Sequence, residues 1–229
     1  MEWDNYTYLL LMVGTIVVPL LLSFEKDVRY FKKWKYLFPA IFLAGIFFII
    51  WDVIFTTNGI WSFNTQFVTG IYLLNLPIEE WLFFIAVPFS CTFIYEVIKV
   101  KLPHFEKPQI FSYFTIFVVI VSIFLFVFNL DRLYTLLNFL ILGIYGGYIY
   151  FSKWFKPYYT KFYLAWFIGL IPFLLVNGVL TGMPVVEYNP EHNLGIRIFT
   201  IPVEDAGYFL LLFLMVVSIY EYLSKKKFY

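Results

Sequence analysis

Residues 63–96 read FNTQFVTGIYLLNLPIEEWLFFIAVPFSCTFIYE, and residues 188–221 read YNPEHNLGIRIFTIPVEDAGYFLLLFLMVVSIYE. The two stretches align without a gap at an offset of 125 residues. Each copy places a Pro-x-acid-acid run at the start of a long apolar segment. The acids are Glu79 and Glu80 in the first copy, and Glu204 and Asp205 in the second. The sequence therefore predicts an internal repeat with carboxylates at two equivalent helix starts.

The composition is that of a membrane protein. The 229 residues are 62% hydrophobic and 14% charged, with a mean hydropathy of +0.82. So few polar residues do not cover the surface of a soluble domain. Cys91 is the single cysteine, which excludes a disulfide within the chain. We expect membrane lipids as the surroundings, a multi-pass location in the cell membrane, and no nucleic-acid partner.

Seven apolar segments are long enough to span a bilayer, at the ~20 residues that a helix needs to cross it. Backbone groups inside lipid must be satisfied within the segment, so each is predicted to be a helix. The acidic start MEWDNY lacks the basic region of a signal peptide, so the first segment is predicted to be retained. The segments run roughly over Tyr6–Phe24, Tyr36–Phe55, Glu79–Lys99, Ile110–Leu130, Tyr134–Phe151, Phe162–Leu180 and Glu204–Leu223.

Lysine and arginine predict the orientation. Of the 16 basic residues, 14 fall in the loops after segments 1, 3 and 5 and in the tail, and only Arg132 and Arg197 fall on the other side. The tail carries Lys225, Lys226 and Lys227. The positive-inside rule then places the N-terminus outside and the C-terminus in the cytoplasm.

The predicted fold is an all-α integral membrane protein of seven transmembrane helices, built as two parallel three-helix repeats joined by helix 4. We place the first repeat at residues 1–100, the linking helix at 101–131 and the second repeat at 132–229. A single linking helix returns the chain to its starting side, so both acidic pairs are expected on the same, outer face.

The outer loops, about 56–78 and 181–203, are also expected to correspond. Aligning Asn58-Gly59 with Asn177-Gly178 gives an offset of 119, which makes the second loop six residues longer. By that alignment the counterpart of Asp52 is Ile171. Asn-Gly is a turn signal, so Asn58 and Asn177 are interpreted as turn residues. The loops are rich in aromatic residues and are expected to fold back over the bundle.

The acidic pairs have two interpretations. Proline followed by acidic residues is a favourable helix start, because the free N–H groups and the helix dipole attract negative charge. Alternatively, carboxylates at membrane depth are expensive and mark a functional site. Two adjacent carboxylates in a poorly hydrated site resist joint ionisation, so one can hold a proton beside an anion. Such a pair supplies an acid and a base.

Aromatic residues follow both acidic pairs within about one turn. In a chain this aromatic they are ordinary membrane residues, or their ring faces stabilise a developing cation. Asp52, near the outer end of helix 2, either reaches the interface or belongs to the site. The candidate substrate- and cation-stabilising residues are Asp52, Trp81, Phe83, Phe84, Tyr208 and Phe209.

The remaining polar residues do not indicate a catalytic or cofactor site. Glu96 and Glu221 lie ~25 Å of helix from the first acids and are interpreted as ion partners of Lys99 and the basic tail. His104 and His192 lack metal-ligand spacing, so no metal is predicted. No G-x-G-x-x-G, P-loop or H-E-x-x-H motif occurs, so no nucleotide cofactor is predicted.

The paired Pro-x-Glu-Glu and Pro-x-Glu-Asp runs, followed by Phe-Phe and Tyr-Phe in small multi-helix repeats, resemble the lycopene cyclase domain. This is the membrane-bound, non-flavin type that occurs as two small subunits in some bacteria, here fused as one chain. The resemblance covers nearly the whole chain. It implies β-cyclisation of lycopene ends to give γ- or β-carotene in carotenoid biosynthesis, an intramolecular lyase or isomerase reaction.

The resemblance gives the catalytic roles to Glu79, Glu80, Glu204 and Asp205, and implies a lipid-soluble carotenoid substrate without a cofactor. Which carboxyl is the acid and which is the base stays open. A proton or ion transporter is the first alternative, although the helix centres are almost wholly apolar and helix 7 has no lysine for a retinal Schiff base. A non-catalytic carotenoid-binding protein is the second alternative.

Overall fold

The computed structural model describes residues 4–225, and these form seven α-helices with short 3-10 turns and six short strands. The helix bounds differ from the predicted ones by at most three residues. The acidic start at Glu2 and the basic Lys226 and Lys227 lie outside the described residues. The helices are α1 Thr7–Leu22, α2 Trp34–Thr57, α3 Ile78–Lys101, α4 Pro108–Val127, α5 Leu133–Ser152, α6 Tyr159–Gly182 and α7 Glu204–Lys225.

All seven helices are long and apolar enough to cross a membrane, as the sequence predicted. Their starts follow local rules. Pro77 is extended (φ −63°, ψ 149°) immediately before α3, and Glu79 and Glu80 occupy the first turn, where free N–H groups favour negative charge. Pro108 opens α4 at a position where its missing N–H costs nothing.

Short strands, which were not predicted, shape the loops before α3 and α7. Two tight hairpins lie directly before the acidic pairs, and their turns place Leu74 (φ 60°) and Phe199 (φ 57°) in the left-handed region. These hairpins aim the start of each acidic helix in the same way in both repeats. The strands are β1 Trp61–Phe63, β2 Tyr72–Leu73, β3 Leu76–Pro77, β4 Val186–Tyr188, β5 Arg197–Ile198 and β6 Ile201–Pro202.

β1 and β4 pair with each other across the two repeats. The antiparallel register puts Trp61 opposite Tyr188, Ser62 opposite Glu187 and Phe63 opposite Val186. At the repeat offset of 125, β1 and β4 are equivalent segments, so this ladder maps onto itself when the repeats are exchanged. A two-fold axis therefore passes through the Ser62–Glu187 pair and relates the two halves.

The predicted alignment of the outer loops was wrong. α2 and α6 begin and end 125 residues apart, so the offset of the acidic stretches continues through them and neither loop is longer. Asp52 therefore corresponds to Asn177, whereas Ile171 is 64% exposed. Asn58 ends α2 and precedes Gly59 at φ 67°, as a turn residue should. Asn177 instead lies inside α6, because that helix continues to Gly182.

α3 and α7 form the centre of the bundle and are the most buried of the seven helices. Their far ends meet in a polar cluster. Lys99 Nζ lies 2.7 Å from Glu96 Oε1 and 2.8 Å from Glu221 Oε1, and Tyr95 and Tyr220 donate hydrogen bonds across the repeats to Glu221 and Glu96. The prediction that these glutamates are ion partners of Lys99 is confirmed, although both glutamates are buried.

Candidate active site

A small cavity lies between the two repeats at the end of the bundle where α3 and α7 begin. Its volume is ≈ 40 Å³, which is enough to hold water. We call it the acid cavity because three carboxyl groups, from Asp52, Glu80 and Asp205, face into it. The other lining residues are Tyr8, Trp61, Phe63, Phe83, Tyr134, Phe173, Asn177, Leu180, Val186, Tyr188 and Tyr208.

Glu80 and Asp52 form one side of the acid cavity. Their carboxyl groups lie within hydrogen-bonding reach of each other. The Tyr8 hydroxyl donates to Glu80 Oε2 at 2.6 Å, and the Tyr208 hydroxyl donates to Asp52 Oδ1 at 2.9 Å. Both carboxyls are buried and neither has a cation beside it in the described residues. Two buried carboxyls this close to each other resist joint ionisation, so the pair is suited to hold one proton.

Asp205 forms the other side of the cavity. The Tyr134 hydroxyl donates to its Oδ1 at 2.6 Å, and the Tyr188 hydroxyl donates to its Oδ2 at 2.9 Å. Burial, followed by the nearby Asp205 charge, raises the pKa of Tyr188 well above its usual value. The Tyr188 phenol therefore keeps its proton and remains a donor. Both oxygens of Asp205 therefore accept a hydroxyl hydrogen bond, and such bonds favour the anionic form of a carboxyl group.

The two sides are related by the repeat but are not identical. Tyr8 and Tyr134 take equivalent places, each donating to the second acid of its own repeat. Asp52 is replaced by Asn177 in the second repeat, and Tyr208 is replaced by Phe83 in the first. The carboxyl pair and the Tyr208 phenol that binds it therefore have no counterpart at the equivalent position across the axis.

An aromatic wall joins the two sides. The Trp61 ring lies 5.3 Å from Tyr134, 6.0 Å from Tyr188 and 6.3 Å from Tyr208, measured between ring centroids. Tyr134 and Tyr208 are themselves 6.4 Å apart. Ring faces carry negative electrostatic potential and attract a positive charge placed over them. The cavity thus combines acids with groups that favour a cation without bonding to it.

Glu79 and Glu204 lie behind the cavity rather than on its wall. Glu79 Oε1 accepts the Thr69 N–H at 2.8 Å, and Glu204 Oε1 accepts the Leu194 N–H at 2.7 Å. Glu204 also accepts from the Thr135 hydroxyl at 2.6 Å. The second oxygen of each carboxyl is buried and has no hydrogen-bond partner among the described residues. These two equivalent acids fasten the strand-bearing loops to the helix starts.

The aromatic residues that were predicted to stabilise a cation also divide into those that line the acid cavity and those that lie behind or outside it. Phe83 and Tyr208 line the acid cavity. Phe84 stacks on Phe48 and Phe209 stacks on Phe173, so these two rings support the wall from behind. The Trp81 indole N–H donates to the Leu73 carbonyl at 3.3 Å and fastens the β2–β3 hairpin, outside the cavity.

Several site residues were not predicted. Tyr8, Tyr134, Trp61 and Tyr188 come from helix starts and loops that were identified only as interfacial. Their signal in the sequence is the repeat itself, because Tyr8 and Tyr134 stand at matching places at the starts of α1 and α5. Asn177 was obscured by the six-residue misalignment. Within residues 4–225 no group of three or more His, Cys, Asp or Glu side chains is placed to hold a metal ion.

The fold and the site define a class: a helical membrane protein whose buried carboxyls converge on an aromatic cavity between two repeats. The lycopene cyclase family matches residues 5–98 and 131–223, which is most of the chain. The chain belongs to the lycopene cyclase family, which supports a carotenoid cyclase role. No curated protein and no solved structure matches the chain.

Proposed function

We propose that this protein is a lycopene β-cyclase, which converts the linear ends of lycopene into β-ionone rings by acid–base catalysis. One observation carries the proposal: carboxyls from both repeats, Asp52, Glu80 and Asp205, meet in one aromatic-walled cavity at the membrane end of the bundle. The family match supplies the substrate class. The reaction is an isomerisation, so a proton donor and a proton acceptor are sufficient.

The Asp52–Glu80 pair is the proton donor in this proposal. It transfers the shared proton to the terminal double bond of the substrate, which leaves a tertiary carbocation. The next double bond attacks that carbon, which closes the six-membered ring and moves the cation into the ring. The Tyr8 hydroxyl donates to Glu80 and the Tyr208 hydroxyl donates to Asp52. These hydrogen bonds stabilise the negative charge that the proton transfer leaves on the carboxyl pair.

Asp205 is the proton acceptor. It removes a proton from the ring carbon that formed the new bond, and the electron pair becomes the ring double bond. One proton enters and one leaves for each ring, so atoms and charge balance. The rings of Trp61, Tyr134 and Tyr208 surround the cation between these steps and, unlike water, do not capture it.

Glu79 and Glu204 are positioning residues in this scheme. Each accepts a backbone N–H from the loop that closes its half of the cavity. All four acids of the repeated motif then contribute to catalysis, two by proton transfer and two by holding the loops in place. Each repeat supplies one proton-transfer acid and one positioning acid; the repeats are residues 1–100 and 132–229.

The proposed orientation places the acid cavity at the outer face and the Lys99 cluster at the cytoplasmic face. The distribution of lysine and arginine supports this placement. The substrate is a hydrocarbon that dissolves in the bilayer, so a site within the helix bundle is accessible to it from the membrane. The protein is then a multi-pass protein of the cell membrane.

The test is pigment analysis of a lycopene-accumulating bacterial host that expresses this chain alone. We expect γ- or β-carotene in place of lycopene, and one deuterium per ring when the purified protein reacts in heavy water. Unchanged lycopene with the protein present in the membrane would overturn the proposal. A cyclised product without deuterium would overturn the proton-donor mechanism.

A further inference from the structure

An apolar groove lies on the outside of the bundle between α1, α3 and α6, next to the acid cavity. Its volume is ≈ 420 Å³, about ten times that of the cavity. The rim residues Leu10, Val18 and Leu175 are all more than half exposed, so the groove opens toward the surrounding membrane. No charged side chain lines it in the described part of the chain.

The polar groups in this groove are already satisfied. The Ser90 hydroxyl donates to the Thr15 carbonyl at 2.8 Å, and the Thr15 hydroxyl donates to the Leu11 carbonyl at 2.8 Å. A ligand in the groove therefore meets no polar group that needs a partner. An uncharged hydrocarbon fits this surface, whereas a ligand with polar groups would lose hydrogen bonds to water without replacing them.

The groove continues the acid cavity along the same helix faces. On α3 the cavity residues Glu80 and Phe83 are followed at helical spacing by the groove residues Val87, Ser90 and Ile94. Residues at such spacing lie on one face of the helix. That face therefore passes from carboxyl to apolar within two turns.

The other two helices show the same succession. On α1, Tyr8 of the cavity is followed by Leu11 and Thr15 of the groove. On α6, Phe173 lines both spaces and Gly169 lies one turn further in. The Phe173 ring therefore lies between the cavity and the groove. A movement of this side chain would connect the two spaces.

The equivalent groove in the other half of the protein is smaller. It lies between α2 and α5, has a volume of ≈ 210 Å³, and shares no lining residue with the acid cavity. At the repeat offset of 125, Trp51 stands where the open groove has Val176, and Phe47 stands where it has Pro172. Larger side chains therefore narrow this second groove.

α1 and α5 also differ in side-chain size, with the smaller residue in α1. Since Tyr8 and Tyr134 take equivalent places, the counterpart of Gly14 is Leu140. Gly14 lines the open groove, and a Cβ added there would meet no atom within 4 Å. Gly14 therefore leaves room in the open groove that a larger side chain at this position would occupy.

We propose that the α1–α3–α6 groove binds the unreacted polyene chain of the substrate while one end occupies the acid cavity. This inference rests on the proposed function for the identity of the substrate. The groove is the path by which a carotenoid enters sideways from the bilayer. From Leu10 to Pro19 it follows α1 for about 13 Å, so it holds the section of chain next to the reacting end. One open path means that one end is processed at a time.

The test puts the larger counterpart residues of the other repeat into the open groove. Gly14→Leu and Val176→Trp each fill the groove from a different helix. The matched controls are Val13→Leu and Val179→Trp, which make the same kind of change at positions on α1 and α6 that do not line the groove. Each full-length variant is purified in lipid nanodiscs, with its thermal unfolding midpoint checked, and lycopene binding and conversion are both measured.

We expect the two groove variants to bind lycopene at least tenfold more weakly and to convert it with at least tenfold lower kcat/KM. The controls should stay within twofold of the unmodified protein. If both groove variants bind and convert lycopene as the unmodified protein does, the proposal that the groove binds the polyene is wrong. The cyclase proposal is not affected by that result. If the unmodified protein binds lycopene but forms no ring, the cyclase proposal is wrong. Lycopene binding by the groove and control variants would still test whether the groove holds the polyene.

Discussion

The Tyr208 hydroxyl of the second repeat donates a 2.9 Å hydrogen bond to Asp52 Oδ1 of the first. This bond crosses the two-fold axis, and the repeat provides no equivalent, because the corresponding residues are Phe83 and Asn177. The proton-holding side of the cavity is therefore assembled from both repeats. The first prediction follows from this contact.

Replacing Tyr208 with Phe leaves the ring and removes the donor to Asp52. We expect kcat to fall about tenfold, which corresponds to about 1.4 kcal/mol in the barrier. The unfolding midpoint should barely change, because Phe is the residue at the matching place in the first repeat. Tyr222→Phe, on the same helix and away from the cavity, is the control. A kcat equal to wild type in Tyr208→Phe would show that the phenol does not act on the acid.

Glu80→Gln and Asp205→Asn remove the proposed donor and acceptor without changing their size. We expect cyclisation to fall at least a hundredfold in each, as general acid–base catalysis typically contributes ~10²–10⁴. Glu187→Gln, an exposed glutamate on β4, should retain full activity. The measurement is product formation from lycopene by the purified proteins. Full activity in either cavity variant would remove that residue from the mechanism.

Asp52→Asn makes the first repeat resemble the second, where Asn177 stands. A carboxamide cannot share a proton with Glu80 as a second carboxyl does. We expect a loss of proton donation, seen as a rate of deuterium incorporation at least tenfold lower with lycopene binding unchanged. Equal incorporation rates would instead assign the donor proton to Glu80 alone.

Glu79 and Glu204 should respond differently from the cavity acids. In Glu79→Gln the amide oxygen can still accept the Thr69 N–H, so we expect a loss of activity under tenfold. Glu79→Ala leaves that partly buried N–H without a partner, at a cost of about 1 kcal/mol in the free energy of unfolding. Activity and unfolding in denaturant, measured for both variants, separate the two effects. A hundredfold loss in Glu79→Gln with normal stability would make this residue a proton-transfer group as well.

Lys99 lies between the buried Glu96 and Glu221 and forms an ion pair with each. Lys99→Met removes it and leaves two carboxylates facing each other, so we expect the protein to lose about 3–5 kcal/mol of stability. Adding Glu96→Gln and Glu221→Gln removes the uncompensated charge and should restore most of it. Thermal unfolding in detergent is the measurement. A stable Lys99→Met protein would show that the cluster does not bind the helix ends together.

The sequence predicted the seven helices well, because length and apolarity decide a membrane span almost alone. It also predicted the two acidic starts, since a gapless repeat fixes both at once. It did not predict which acid of each pair faces the cavity. Glu79 and Glu80 are neighbours in the chain but point about 100° apart on a helix, and only the packing of α1 and α2 decides between them.

The strands and the Asp52–Asn177 correspondence were missed for a different reason. Asn58-Gly59 and Asn177-Gly178 look alike, yet the first ends a helix and the second lies within one. A local turn signal was given more weight than the continuity of the repeat. Strands of two or three residues are too short to show a periodicity in the sequence.

The β1–β4 ladder also bears on how such a protein arises. A segment that pairs with its own equivalent about a two-fold axis is self-complementary, so a half-length chain carrying it pairs with a second copy of itself. In such a homodimer every residue occurs twice, and a site with Asp on one side and Asn on the other is impossible. Divergence of the two halves after duplication removes that restriction. The carboxyl pair and the wider groove, each found in one half only, are differences that two unequal halves allow.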